Sequence, residues 1–283
     1  MGTGERIPHE SRGANTGQSC YQVNDSCHGW VGGVPRNDGH VMESPQVSVV
    51  YWDAYFQGEP GAVDLMNTFF TDILGGRFMR GLRQYGVGAG KLLGHQTIVP
   101  AQPPPASMSR EDIENQLIEW IDQEVVPAPT PDERNLLYVI FTPNHTTFGD
   151  VGYCTCGYHQ SGRYRLPTND NLFWAAIQEW HHGDKLPADP RDFVDSCSWC
   201  VSHEMVEAFT NRDGRGYHTE TGCEIGDICE CAKGSPTQKT PIIKTAVDGW
   251  WVEPYWDNVN RSCYPLHIVP RSDAPVEGYE IEG

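Results

Sequence analysis

Residues 194–211, VDSCSWCVSHEMVEAFTN, decide how we expect this chain to fold, because they predict one long helix with two different faces. Val201, Met205 and Phe209 recur at every fourth position and form an apolar stripe suited to a core. Asn211 is a residue type that commonly ends helices. We therefore expect the helix to pack along this stripe and to present polar side chains on the neighbouring face.

Three of those polar side chains indicate metal chemistry. His203 and Glu207 are four residues apart, so they project side by side, and Glu204 follows the histidine directly. The string HEMVE differs from the zinc peptidase motif HExxH in its second ligand, which is a carboxylate. A zinc ion held there would lower the pKa of water toward about 7, and Glu204 would accept the proton. A site with one firm histidine is richer in oxygen, so calcium and manganese are alternatives.

The third metal ligand must come from another element. Glu224 follows Glu207 by seventeen residues, close to where gluzincin peptidases supply a glutamate, and we take it as the third ligand. For catalysis, we expect His218 or Tyr217 to stabilise the oxyanion. The residues that remain open as alternative ligands are Asp213, Asp227, His218 and His159.

Two other interpretations of this helix compete with the metal site. In the first, the helix is simply amphipathic, with Glu204 and Glu207 solvated and a hydrogen-bonded histidine. In the second, Cys200 is a nucleophile activated by His203, which requires a free thiol. An even number of cysteines disfavours the second interpretation.

The rest of the chain predicts an α+β fold, in which helices pack on a mixed β-sheet. Residues 136–142, LLYVIFT, form a continuous apolar run typical of a strand buried on both faces. Helices are predicted from Val63 to Leu74 and after Ser109, where an acidic first turn follows a capping serine. Further strands are predicted over 46–52, 92–99, 152–159 and 250–256. We expect an N-terminal arm over 1–45, one domain over 46–268 and a polar tail over 269–283.

The ten cysteines predict disulfides and therefore a secreted protein. A four-cysteine zinc site is the alternative, but the pair Cys154 and Cys156 is too closely spaced to be a zinc knuckle like Cys197 and Cys200. From their positions along the chain, the expected bridges are Cys229–Cys263 and Cys20–Cys27.

The formal net charge of −18 disfavours nucleic acid and anionic membranes as partners, because both repel an acidic surface. No apolar stretch approaches the roughly 18 residues of a membrane span. We expect a monomer that acts on a protein or peptide substrate.

Four short segments resemble the plant phosphate-induced (Exordium-like) family and similar secreted bacterial and fungal proteins. They are SHEMVEAFT at 202–210, EIGDICE at 224–230, YWDN at 255–258 with Cys263 after it, and CGYH at 156–159. The resemblance covers about residues 47–263. It implies secretion and one site containing His203, Glu204, Glu207, Glu224 and Asp227, and it implies no particular reaction.

Together these patterns predict a secreted metal-dependent hydrolase, specifically a zincin-like metalloendopeptidase. The alternative is a non-catalytic extracellular binding or signalling protein, in which the same residues hold a structural metal or none. A catalytic metal keeps an open coordination position, whereas a structural site is closed.

Overall fold

The computed structural model describes residues 27, 30–102, 105–143, 146–149, 156–165, 170–178, 189–229, 243–265 and 269–270. Most of the predicted N-terminal arm and nearly all of the predicted tail lie outside these residues. Among the described residues, none of the helices has the length and apolar character needed to cross a membrane.

A mixed sheet with helices packed against it confirms the predicted α+β fold class. The helices are α1 (Ala54–Gly58), α2 (Pro60–Gly75), α3 (Arg110–Asp122) and α4 (Pro190–Thr210), with 3-10 helices at Phe78–Tyr85 and Asp227–Cys229. The strands are β1 (Gln46–Tyr51), β2 (Lys91–Thr97), β3 (Ser107–Met108), β4 (Leu136–Phe141), β5 (Thr147–Phe148), β6 (Gly157–Gly162), β7 (Leu172–Ile177), β8 (Ile243–Val247), β9 (Trp250–Val252), β10 (Tyr255–Asp257), β11 (Ser262–Tyr264) and β12 (Val269–Pro270).

The main sheet has five strands in the order β2-β1-β4-β7-β6. The first four run parallel to one another, and β6 is an edge strand that pairs antiparallel with β7. Parallel strands need crossover connections, which here include α2 between β1 and β2 and α3 between β2 and β4. The sheet is therefore mixed, with three parallel strand pairs and one antiparallel pair at the edge strand β6.

The central strand β4 is buried at every position, as its apolar run predicts. Val139 and Phe141 lie in one core with apolar residues of α2 and α4, whereas Tyr138 and Ile140 lie in a second core with those of α3. Because successive side chains of a strand point to opposite faces, each face of the sheet has its own core. The face covered by α2 and α4 is the one that positions the candidate site.

Local sequence signals place the helices correctly. The predicted residues from Val63 to Leu74 lie in α2, and α3 begins with the capping box that Ser109 suggests. The Ser109 hydroxyl accepts a hydrogen bond from the Asp112 amide at 3.2 Å, and the Asp112 carboxylate accepts one from the Ser109 amide at 2.8 Å.

Two of the predicted strands differ from the structure, and one buried strand of the main sheet has no counterpart among the predictions. The single strand predicted over 250–256 is two strands, β9 and β10, because Pro254 has no amide hydrogen to continue a ladder. The strand predicted over 152–159 begins at Gly157 within the described residues and continues to Gly162, while 152–155 lie outside them. The buried strand β7, LFWAAI, was not predicted, although its apolar composition and length suit a strand.

Within the described parts of the chain, three disulfides join distant segments: Cys27–Cys223, Cys156–Cys200 and Cys229–Cys263. The predicted Cys229–Cys263 bridge is confirmed. The predicted Cys20–Cys27 bridge is wrong, because Cys27 is bonded to a cysteine 196 residues away, a separation that neighbouring positions in sequence do not reveal. The bond at Cys200 also excludes that residue as a zinc ligand or as a nucleophile beside His203. Such bridges are typical of oxidising environments outside the cytosol.

Candidate metal centre

Helix α4 brings two of the three predicted metal ligands together, His203 and Glu207. His203 Nε2 lies 3.2 Å from Glu207 Oε2, as the spacing of four residues requires. The stripe of Val201, Met205 and Phe209 is fully buried in the core shared with α2. The apolar stripe therefore fixes the rotation of the helix, and this rotation aims the histidine and the glutamates away from that core.

The edge strand β6 places a second histidine over this face of α4. His159 Nδ1 lies 3.2 Å from Glu204 Oε2 and 3.7 Å from Glu207 Oε2. Its other ring nitrogen, Nε2, lies 3.5 Å from Glu224 Oε1. The Cys156–Cys200 bridge joins the start of this strand to α4, one helical turn before Glu204. His159, one of the alternatives left open by the sequence, thus contacts three of the site carboxylates.

The segment from Cys223 to Cys229 closes the site from another side. Asp227 Oδ1 lies 3.9 Å from His203 Nε2, and the Asp227 amide donates a hydrogen bond to Glu207 Oε1 at 3.1 Å. Both ends of the segment are held by disulfides to distant parts of the chain. A disulfide at each end fixes this loop, so that its carboxylates stay against the helix.

Glycine at position 226 allows that loop to approach so closely. A Cβ atom there would lie 2.8 Å from Glu207 Oε1 and 3.0 Å from His203 Nδ1. These separations are shorter than ordinary van der Waals contact, so any side chain at this position would push the two residues away.

Glu253 is a member of the site that the sequence analysis missed. Its Oε1 lies 3.1 Å from His203 Nδ1, and its amide donates a hydrogen bond to the Ser202 hydroxyl at 2.9 Å. It lies between β9 and β10, directly before Pro254. The sequence signal that could have identified Glu253 is a charged residue directly before a proline that interrupts a strand. We call His159, His203, Glu204, Glu207, Glu224, Asp227 and Glu253 the carboxylate–histidine cluster.

The carboxylate–histidine cluster is largely buried. Six of its side chains are between 1% and 9% exposed, whereas Asp227 is 24% exposed and marks the side that solvent reaches. The interpretation in which Glu204 and Glu207 are solvated residues of a simple amphipathic helix is therefore wrong. Buried charges at this density need compensation, because an uncompensated ion in a protein interior costs several kcal/mol or more.

Electrostatic coupling in the cluster perturbs its pKa values. Burial lowers the pKa of His203, but the negative charges of Glu207 and Glu253 outweigh it and hold that pKa well above its usual value. The pKa of His159 is raised in the same way, because Glu224 and Glu204 outweigh burial. Burial raises the pKa of Glu207 to about 7, although His203 opposes the shift. Both histidines thus sit where a positive charge is strongly favoured.

The donor set of the cluster fits a divalent cation. Among the described residues, two groups of histidine and carboxylate side chains have ligand atoms that all lie within 4.8 Å of one another: His203, Glu207 and Asp227, and His159, Glu204 and Glu207. A third such group, Cys156, Cys200 and Glu204, contains two cysteines that are bonded to each other, so their sulfur atoms are not thiolate ligands. Imidazole nitrogen with carboxylate oxygen is a ligand combination of zinc and manganese sites. Calcium fits less well, because it takes oxygen ligands and each group contains a histidine.

The other predicted site residues lie outside these two groups. Glu224 contacts His159 rather than His203 and accepts a hydrogen bond from the Asn211 side chain. His218 pairs through its backbone with Glu224, and its Nδ1 lies 2.9 Å from the Thr219 carbonyl oxygen. Among the described residues, the His218 ring makes no hydrogen bond or ion pair with the cluster.

The remaining two candidates make contacts elsewhere in the fold. Asp213 Oδ2 lies 2.9 Å from His40 Nδ1. Burial raises the pKa of the Asp213 carboxyl, but hydrogen bonds from His40 outweigh burial and lower that pKa. Tyr217 packs edge-on against Tyr85. Neither Asp213 nor Tyr217 therefore belongs to the two groups of possible metal ligands.

Comparisons of the chain with protein-family models, with curated proteins and with solved structures find no match. The resemblance to the Exordium-like family stays a prediction.

Proposed function

We propose that this protein is a secreted metal-dependent hydrolase that cleaves peptide bonds, as zincin-like metalloendopeptidases do. One observation carries the proposal: His203, Glu207 and Asp227 have their ligand atoms within 4.8 Å of one another, on a buried helix and a disulfide-anchored loop. Three such ligands, with one side left for water and substrate, are the usual protein contribution to a catalytic zinc site. The greater exposure of Asp227 favours an open position on its side of the site.

His203, Glu207 and Asp227 would hold the metal in this proposal. When bound, a divalent cation supplies Lewis-acid polarisation of a carbonyl group and lowers the pKa of water. Glu253 lies 3.1 Å from His203 Nδ1, so it accepts the Nδ1 hydrogen and fixes the tautomer whose Nε2 is free to bind the metal. The Asp227 amide holds Glu207 Oε1 and leaves Oε2 to face the histidine.

Glu204 is the general base in this proposal. It is buried beside the metal-binding set, and its Oε2 is held 3.2 Å from His159 Nδ1. That contact orients the carboxylate, which would accept a proton from the attacking water and later return it to the leaving amine. A positioned carboxylate of this kind contributes about 10²–10⁴-fold to a hydrolytic rate.

The edge strand beside the cluster favours a peptide as the substrate. Within the described residues, β6 pairs only with β7 and is the last strand of the sheet. An edge strand presents backbone N–H and C=O groups to which an extended peptide can add as a further strand. A peptide bound along β6 would pass His159, and Glu204 lies against that histidine.

The decisive test combines metal content with peptide cleavage. The full chain is loaded with zinc or manganese, analysed for metal, and incubated with a mixture of unfolded peptides whose products are identified by mass spectrometry. We expect at least about one metal per chain and cleavage in the wild type. Glu204→Gln should keep metal at His203 and lose about 10²-fold or more of the rate. His203→Ala should lose the metal bound at that position and the cleavage of peptides.

His95→Ala is the matched control, because this histidine lies on β2, at the opposite edge of the sheet, and belongs to neither ligand group. It should retain metal and cleavage. Absence of cleavage by the metal-loaded wild type, or equal rates for wild type and Glu204→Gln, would overturn the proposal.

Low exposure of the cluster favours one other function, that of an extracellular binding protein with a structural metal. Most of its side chains are less than a tenth exposed, which suits a closed structural site. In that case metal binds and raises the unfolding temperature, and no peptide is cleaved.

A further inference from the structure

We infer that the carboxylate–histidine cluster binds two divalent cations, bridged by Glu207. The inference rests on the proposed function, because it concerns the same site, and it adds a second metal that a single HExxE helix does not suggest. It starts from the two ligand groups, which are separate except for one shared residue. Glu207 belongs both to the group with His203 and Asp227 and to the group with His159 and Glu204.

The shared carboxylate has the geometry of a bridge. Glu207 Oε2 lies 3.2 Å from His203 Nε2 and 3.7 Å from His159 Nδ1, so one oxygen faces a histidine on each side. Ligand atoms around one cation are separated by roughly 3 Å when each bond is about 2.0–2.2 Å. Each histidine is therefore at a suitable distance to share a cation with this carboxylate. Carboxylate-bridged pairs of metals about 3.5–4 Å apart occur in many hydrolases.

Each histidine also has the outer partner that metal-binding histidines require. His203 directs Nε2 to Glu207 and Nδ1 to Glu253, at 3.1 Å. His159 directs Nδ1 to Glu207 and Glu204, and Nε2 to Glu224 at 3.5 Å. A carboxylate behind the imidazole fixes its tautomer and raises its basicity as a ligand. This arrangement occurs twice in the cluster, once on each side of Glu207.

The charge of the cluster agrees with two cations rather than one. If all five of its carboxylates are ionised and both histidines are neutral ligands, one divalent cation leaves three negative charges and two leave a single one. Uncompensated charges are costly at this depth. Glu204 binds the second cation through one oxygen and keeps the other for proton transfer, so its proposed role as a base is retained.

The test counts metals without measuring activity. Metal-free protein is titrated with zinc in a calorimeter, and metal content is then determined by elemental analysis. We expect about two ions per wild-type chain and about one for His159→Ala. His159→Gln retains more of the side-chain volume and should also bind about one ion. Circular dichroism of both variants would show whether either one is misfolded.

His95→Ala is the control, because His95 lies on β2, the opposite edge strand of the same sheet, where its ring lies 2.9 Å from the Asn67 side chain. It should bind two ions. With manganese in place of zinc, the electron paramagnetic resonance spectrum should show a spin-coupled pair in the wild type and an isolated ion in His159→Ala.

The possible outcomes separate this inference from the proposed function. One ion per wild-type chain, unchanged in His159→Ala, overturns the two-metal site and leaves the hydrolase proposal standing. No bound ion overturns both. Two ions without spin coupling would place the second ion elsewhere and would also overturn the bridge.

Discussion

Replacing Gly226 with alanine should weaken metal binding by displacing two ligands while the fold is retained. The new Cβ would lie 2.8 Å from Glu207 Oε1 and 3.0 Å from His203 Nδ1, whereas ordinary contact begins at 3.4 Å. The carboxylate must therefore retreat by about 0.6 Å and the imidazole by about 0.4 Å, which exceeds the roughly 0.2 Å tolerance of metal–ligand distances.

Neither side chain can retreat freely. Glu207 Oε1 accepts the Asp227 amide hydrogen, and His203 is held between Glu207 and Glu253. The backbone at Gly226 does not have a positive φ, so alanine adds a steric clash and no backbone strain. We expect the free energy of unfolding to fall by about 1–3 kcal/mol, the usual cost of overpacking.

Competition with a chelator of known zinc affinity measures the effect. Zinc affinity should fall about 10–100-fold, the range seen when the support of a ligand is disturbed. Gly58→Ala is the matched control, because a Cβ at that position meets nothing within 4 Å. A Gly226→Ala protein with wild-type zinc affinity would refute the close approach that we describe.

Three further predictions concern the framework of the fold. Removing the Cys156–Cys200 bridge by a double serine replacement should lower the unfolding free energy by about 4 kcal/mol in reversible denaturation, because the bridge closes a loop of 44 residues; no change would contradict its role. Ser109→Ala should cost about 1 kcal/mol at pH 7. Hydrogen bonds from Ser109 lower the pKa of Asp112, so this cost should persist above about pH 3.9 and shrink as the pH falls below it; a cost independent of pH would contradict the capping box. Asn211→Ala should lower the free energy of unfolding by about 2–3 kcal/mol, because it removes the hydrogen bonds to the Glu224 carboxylate and from the Gly216 amide, both buried. Urea unfolding at neutral pH measures this loss, and a loss below about 1 kcal/mol would contradict a role for the two bonds.

The cluster combines a rigid helix with parts of the chain that disulfides hold in place. His203, Glu204 and Glu207 are set by α4, whereas His159 and Asp227 lie on segments next to cysteine bridges. Buried groups of like charge repel one another, so such a cluster tends to spread unless its supports are stiff. The bridges therefore have a direct part in holding the ligands for a metal.

Sequence patterns predicted the parts of this protein that depend on local geometry. The pairing of His203 with Glu207 follows from the pitch of a helix, and the burial of β4 on both faces follows from its unbroken apolar run. The α+β class follows in turn, because helices with an apolar stripe must pack against strands that are buried on both faces. In each case the informative residues lie within a few positions of one another.

Only the tertiary structure decided which distant side chains meet. Glu253 reaches His203 across 50 residues of chain, and His159 reaches Glu204 across 45. It also placed Glu224 against His159 rather than His203, and joined Cys27 to Cys223. Periodicity reports which face of an element is buried, because the backbone repeats at a fixed interval. The partner on that face depends on how whole elements pack, and that packing is determined by the complete set of contacts.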